Sequence, residues 1–217
     1  MKKSILVLGL GRFGMTLATT LCQLGQDVMA VDMDSTRVDM AKDRVTQAVQ
    51  ANISEERTIV QLGVRNFDCV AVCVGNDIQA SVLAVVMCKE YGAKQVICKA
   101  SDQLHEKLLY KTGADKVFQP ERESALRLAR ALASRSVLDY IDLSEEYSIS
   151  EIRLPGSWAG KTLAQVNVRA VYGLSVIALR RNQQIVITLD PHAPLVAGDE
   201  LIVIGTNRDI AKLDAIK

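Results

Sequence analysis

Three glycines in the opening stretch ILVLGLGRFGMTLATTL have the spacing of a phosphate cradle: Gly9, Gly11 and Gly14 form G-x-G-x-x-G. They follow a short apolar run at 5–8 and precede a helical pattern at Phe13, Leu17, Leu21 and Leu24. The first glycine of such a turn permits a tight bend, the second lets backbone approach a pyrophosphate, and the third lets helix and strand pack closely. Phosphate then rests on free N–H groups at a helix N-terminus, where the macrodipole favours negative charge. Asp32 follows Gly14 at the end of a second apolar run, where a carboxylate accepts hydrogen bonds from ribose hydroxyls and repels a 2′-phosphate. That disfavours NADP.

Other residues point to the same end of the fold. Arg12, between the second and third glycines, would meet a terminal phosphate bidentately, which favours ATP or ADP over NAD, or else is an exposed first-turn arginine. Lys99 ends a strand at the rim where ligands bind in such sheets, and either neutralises phosphate or is simply solvated. In VGNDIQAS, Gly75 and Asn76 would line the crevice, while Asp77 reads as a helix N-cap. Glu121, directly after Pro120, is either a first-turn acid favoured by the helix dipole or a carboxylate holding a divalent ion against a polyphosphate; on spacing alone the dipole reading is preferred. The two histidines, His105 and His192, fall in different expected domains without the carboxylate or serine neighbours of a triad or general base. The reading is therefore a sensor, and its rival is an NAD-dependent oxidoreductase that shares fold and ribose acid.

The elements that must position these residues alternate along the first half. Strands are expected at 5–8, 28–31, 46–49, 70–74, 96–98 and 117–118, with helices near 12–24, 36–43, 55–62, 77–91, 103–112 and 121–135. Gly25, Gly63, Gly92 and Gly113 stand where C-terminal caps belong. This is an α/β fold, a Rossmann-like doubly wound parallel sheet. The last helix sets Leu126, Ala129 and Ala133 on one face with Leu128 and Leu132 beside it, and Glu123 four residues before Arg127. It either packs on its own sheet or meets a partner subunit.

The acidic, serine-rich stretch after it breaks the rhythm, so the expected organisation is a nucleotide-binding domain at 1–137, a linker at 138–146 and a small α+β domain at 147–217. In that module strands are expected at 149–154, 174–179, 185–189 and 201–204, short helices near 162–166 and 207–215, a hairpin turn in RRNQQ and a turn at Gly198-Asp199.

Composition narrows the classes. The 217 residues carry 26 Lys and Arg against 25 Asp and Glu, a net charge of +1 that supplies no field for nucleic acid or an anionic membrane. No helix-turn-helix pattern or basic stripe argues for a DNA-bound regulator. The richest apolar segment, 78–87, is far shorter than the ~20 residues of a bilayer span. With no leader pattern, a cytosolic location is expected. Cys22, Cys69, Cys73, Cys88 and Cys98 are odd in number and form no C-x-x-C, so they read as buried apolar thiols.

The segments VLGLGRFG, AVDMD, VGNDIQAS, GADKVFQPE, VLDYIDLSEEYSI and NVRAVYG resemble the cytosolic RCK subunits of bacterial Ktr and Trk potassium uptake systems, over nearly the whole chain. The resemblance implies an RCK_N Rossmann domain and a small RCK_C domain. It also implies a homodimer assembled into an octameric ring beneath an integral membrane potassium-translocating subunit, with ATP and ADP favouring different ring shapes. The protein would be cytoplasmic and peripheral to the membrane through that partner. Carried over by position, the nucleotide residues are Gly9, Gly11, Arg12, Phe13, Gly14, Asp32, Asp34, Asn52, Ile53, Gly75, Asn76, Lys99 and Glu121. Glu121 in this family helps place Mg2+ or another cation beside the nucleotide, the opposite of the reading preferred on spacing alone. Asn52 and Ile53 fall at the adenine contact, although NIS departs from the usual NAT or DAT. Some relatives bind cyclic di-AMP between paired C-terminal modules through the segment equivalent to Val168, Arg169 and Ala170.

Overall fold

A computed structural model describes residues 2–75, 77–133, 137–144 and 146–216. Contacts divide the chain into two units, Met1–Glu121 and Arg122–Lys217.

In the first unit the strands are β1 (Ser4–Leu8), β2 (Asp27–Asp32), β3 (Gln47–Gln50), β4 (Cys69–Val72), β5 (Val96–Lys99) and β6 (Lys116–Phe118). All neighbours are parallel and the sheet order is β3-β2-β1-β4-β5-β6, with the reversal between β1 and β4 that opens a ligand crevice beyond the strands' C-terminal ends. The connecting helices are α1 (Arg12–Gln23), α2 (Ser35–Ala41), α3 (Glu56–Leu62), α4 (Ile78–Glu90) and α5 (Gln103–Lys111). One core joins Val7 and Val28 of the sheet to Ala18 of α1 and Val38 of α2; the other joins Leu6, Leu8 and Val70 to Ile59 of α3, Val85 of α4 and Leu109 of α5. Both faces of the sheet are thus used, which is why its strands are apolar runs rather than alternating ones. The four glycines expected at helix ends all have positive φ.

Pro120 opens α6 (Pro120–Ala133), and none of its side chains is buried among the described residues: Leu126, Leu128 and Leu132 are exposed. On the first unit, a groove runs along the α1 side of β4 and β5, lined by Phe13, Leu17, Leu21, Cys69, Ala71 and Ile97.

The second unit holds a five-stranded antiparallel sheet, β10-β9-β11-β8-β7, made by β7 (Val137–Asp142), β8 (Tyr147–Arg153), β9 (Ser175–Arg181), β10 (Gln184–Val186) and β11 (Glu200–Thr206). Short helices α7 (Leu163–Val166), α8 (Val168–Tyr172) and α9 (Asn207–Ala211) close a core of Ile152, Trp158, Leu174, Leu201 and Ile210. The contact division falls earlier than the sequence-based boundary at 137, and the stretch 138–146, expected as a linker, contributes most of β7 paired to β8. The hairpin turn in RRNQQ is present, with Asn182 and Gln183 at positive φ between β9 and β10, and Gly198 turns before β11. Strand β10 ends at Val186, short of the expected 189, and Leu189 instead packs against the core.

Candidate nucleotide site

The glycine turn is built as its spacing predicts. Gly9 has φ +96°, its N–H donates to Val31 O at 2.7 Å, and a Cβ there would lie 2.7 Å from Val74 Cγ2. At Gly14 a Cβ would lie 1.9 Å from Gly9 O, so the third glycine lets α1 rest on the turn. Gly11 differs: a Cβ would meet nothing within 4 Å, and its φ of −62° suits any residue. The fold itself therefore does not need glycine at position 11. Gly11 is the N-cap of α1 and supplies no side-chain cap, so the first-turn N–H groups of a twelve-residue helix face the space that the glycine keeps clear.

Asp32, nearly buried at the end of β2, accepts from Leu10 N–H at 2.6 Å through Oδ2 and from Asp34 N–H at 2.9 Å through Oδ1. The carboxylate thus ties the glycine turn to the loop after β2 while retaining acceptor capacity for a ribose hydroxyl. Asp34 caps α2, accepting from Thr36 N–H at 2.9 Å. Asn52 spends its side chain locally, with Oδ1 accepting from Ser54 N–H at 3.0 Å, whereas buried Ile53 lines the cleft beside Asp32 and Gly9. Asp77 caps α4 by accepting from Ala80 N–H at 2.9 Å, as its place in the sequence predicts. Asn76 lies outside the described residues.

A second group gathers at the end of β5. Lys99 Nζ donates to Glu121 Oε1 at 2.6 Å and stands 5.9 Å from the centre of the Phe13 ring. The Lys99 stem lies against Gly75, whose Cβ would sit 3.5 Å from Cε. The Lys99 hydrogen bond holds the Glu121 carboxyl below the usual carboxylate range, helped by its own backbone amide and by the charge of Arg12. Arg12 is exposed on the first turn of α1.

Arg37 was not foreseen from the sequence. It lines the cleft with Nη1 3.5 Å from Asp32 Oδ2 and Nε 3.4 Å from Asp34 Oδ2. Its position three residues after Asp34 on a helix start is the signal that would have found it.

His105 is fully buried, with Nε2 2.9 Å from Ser81 Oγ and Nδ1 accepting from Ser101 N–H at 3.2 Å; burial lowers its pKa. It is a packed link between α4 and α5. Burial pushes the Cys73 and Cys88 thiols up to about 12, which suits their reading as inert apolar groups.

In the second unit Val168 is buried and Arg169 exposed, and both line a shallow groove with Asn167, Leu174, Leu189 and Pro191. Ala170 is exposed on α8 and does not line that groove.

The TrkA-N domain family matches residues 5–120 and the TrkA-C domain family residues 149–217. The chain is 39% identical over 214 residues to the Ktr system potassium uptake protein C of Bacillus subtilis (strain 168), covering 99% of this chain and 97% of that one. The chain belongs to the Ktr/Trk family of potassium uptake proteins. The Ktr system potassium uptake protein A of the same organism is 36% identical, covering 98% and 96% of the two chains, and that of Vibrio alginolyticus is 35% identical, covering 96% and 95%. Among solved structures, the GsuK RCK domain matches all of this chain with a TM-score of 0.69 at 19% identity, this chain spanning 48% of that one. The GsuK channel bound to NAD gives the same score and identity over 39% of its chain. At that identity the likeness shows the fold, an RCK Rossmann domain followed by an RCK C-terminal module. Among the described residues no helix is long and apolar enough to cross a membrane.

Proposed function

We propose that this chain is a nucleotide-sensing regulatory subunit that controls a membrane potassium-translocating subunit of the Ktr or Trk type. One observation supports the reading most: the space beside Gly11, before the N-terminus of α1, is open, and we assign Arg12 and the Lys99–Glu121 pair to the phosphates that would lie there. The relatives' names supply the system, potassium uptake.

A nucleotide biases two arrangements of an assembly only by the difference in its affinity for them. ATP and ADP differ by one phosphate, so the residue that reads them must lie where the chain of phosphates ends. Arg12 has that place, and we assign it the role. A divalent cation at Glu121 needs further oxygens, because one carboxylate is a small part of a shell of about six; the polyphosphate must supply them.

The exposed leucines of α6 support assembly into a homodimer, and an octameric ring is the assembly the family resemblance implies. The protein then works in the cytoplasm, held at the membrane through its partner. In the second unit the groove with Val168 and Arg169 is the place for cyclic di-AMP, with the guanidinium on a phosphate.

A regulator is preferred to an oxidoreductase because His105 is buried against Ser81 and Ser101 instead of facing the cleft. Light scattering with nucleotide extraction tests the whole reading. An octamer carrying adenine nucleotide supports it, whereas a monomer that turns over NADH with a substrate overturns it.

A further inference from the structure

At the ribose end of the cleft, two acids share one guanidinium. Arg37 meets Asp32 at 3.5 Å and Asp34 at 3.4 Å, and Asp34 uses its other oxygen, Oδ1, to cap α2. Asp32 is nearly buried and already accepts two backbone N–H groups, while Asp34 and Arg37 are partly exposed. Two carboxylates against one guanidinium leave the cluster with one formal negative charge.

An arginine beside the ribose acid is the feature by which Rossmann sites accept a 2′-phosphate. Here that arginine lines the cleft but is engaged by a second acid. We propose that Asp34 is a specificity-determining residue: it holds Arg37 and so keeps the site for adenosine with a free 2′-hydroxyl. The inference rests on the nucleotide reading above and deepens it. Asp32 alone repels a 2′-phosphate, but a released Arg37 would offset that repulsion with two parallel N–H donors. Asp34 removes this option while keeping its capping duty. The two duties fall on different oxygens and are separable by substitution.

Asp34→Asn is the discriminating variant. Asparagine caps a helix as well as aspartate does, through Oδ1, but places an N–H2 rather than an acceptor beside Arg37. The assay is displacement of fluorescent ADP by 5′-AMP and by adenosine 2′,5′-bisphosphate, which differ only in the 2′-phosphate. The wild type is expected to prefer 5′-AMP, and Asp34→Asn to narrow that preference on the order of tenfold, less at high salt. In Asp34→Asn/Arg37→Gln the preference returns to the wild-type value. Equal narrowing in the single and double variants, or none in the single variant with its melting temperature unchanged, overturns the role of Asp34. Failure of fluorescent ADP to bind the wild type overturns the nucleotide reading itself, and this inference with it.

Discussion

Lys99 Nζ sits 2.6 Å from Glu121 Oε1, so the cation that ends β5 is held by an acid from the start of α6. The Lys99 side chain is only 15% exposed, while that of Glu121 is 67% exposed. The lysine is therefore the enclosed partner, set between Gly75 and the Phe13 ring, and the glutamate the exposed one. Glu121→Gln should leave Lys99 without its counter-charge and raise ADP affinity, measured without divalent cation, by about fivefold, roughly 1 kcal/mol for a partly exposed pair. Isothermal titration at two salt concentrations checks this; an affinity that falls, or a gain that persists at high salt, contradicts it.

Gly11 and Gly14 make opposite demands, although both belong to one motif. Gly14→Ala puts a methyl 1.9 Å from Gly9 O, so the turn or α1 must shift; a loss of about 3 kcal/mol or more, or failure to fold, is expected. Gly11→Ala meets open space at an ordinary φ, so stability should change by less than about 1 kcal/mol while nucleotide affinity falls at least tenfold. Urea denaturation and nucleotide titration of the two variants separate folding from binding.

The glycine turn and the parallel sheet were legible because each is a local signal with a fixed physical cause: close approaches at Gly9 and Gly14 that a side chain would block, and apolar runs buried on both faces. Other features depended on tertiary pairing. Strand β7 reads VLDYID, and its acids and partial exposure resemble a linker until β8 supplies the ladder. Helix α8 has five residues, two of them β-branched valines, and is made by its caps: Asn167 and Gly173 both adopt left-handed backbone at its ends. The Ser81–His105 pair is different: its two residues lie on separate helices, brought together by side-chain direction in the folded state, which spacing does not specify.

Arg12 is the test of how the site tells ATP from ADP. It is exposed, so removing it should cost the fold less than about 0.5 kcal/mol. If it reads the terminal phosphate, Arg12→Ala narrows the ATP/ADP affinity ratio severalfold, within the usual coupling of about 1–3 kcal/mol, and weakens ADP much less. Parallel titrations of both nucleotides decide it, since equal losses would give Arg12 a general electrostatic role only.

Buried His105 gives the first unit an acid sensitivity with a defined sign. Burial lowers its pKa below the ordinary value of 6.5, opposed in part by the charge of Asp102. Its Nδ1 accepts from Ser101 N–H, leaving the proton on Nε2 toward Ser81, and an added proton at Nδ1 would face that amide. Above pH 6.5 both folded and unfolded states hold the neutral ring, and His105 contributes no pH dependence. Below it the unfolded chain takes up the proton first, so stability falls with pH until the folded state's lower pKa is reached. His105→Asn should cost about 1–3 kcal/mol at pH 7.5, through the lost bonds to Ser81 and Ser101, and should flatten the slope below pH 6.5. Urea midpoints from pH 7.5 to 5.0 provide the measurement; a variant whose midpoint declines as steeply as the wild type's places the acid sensitivity elsewhere.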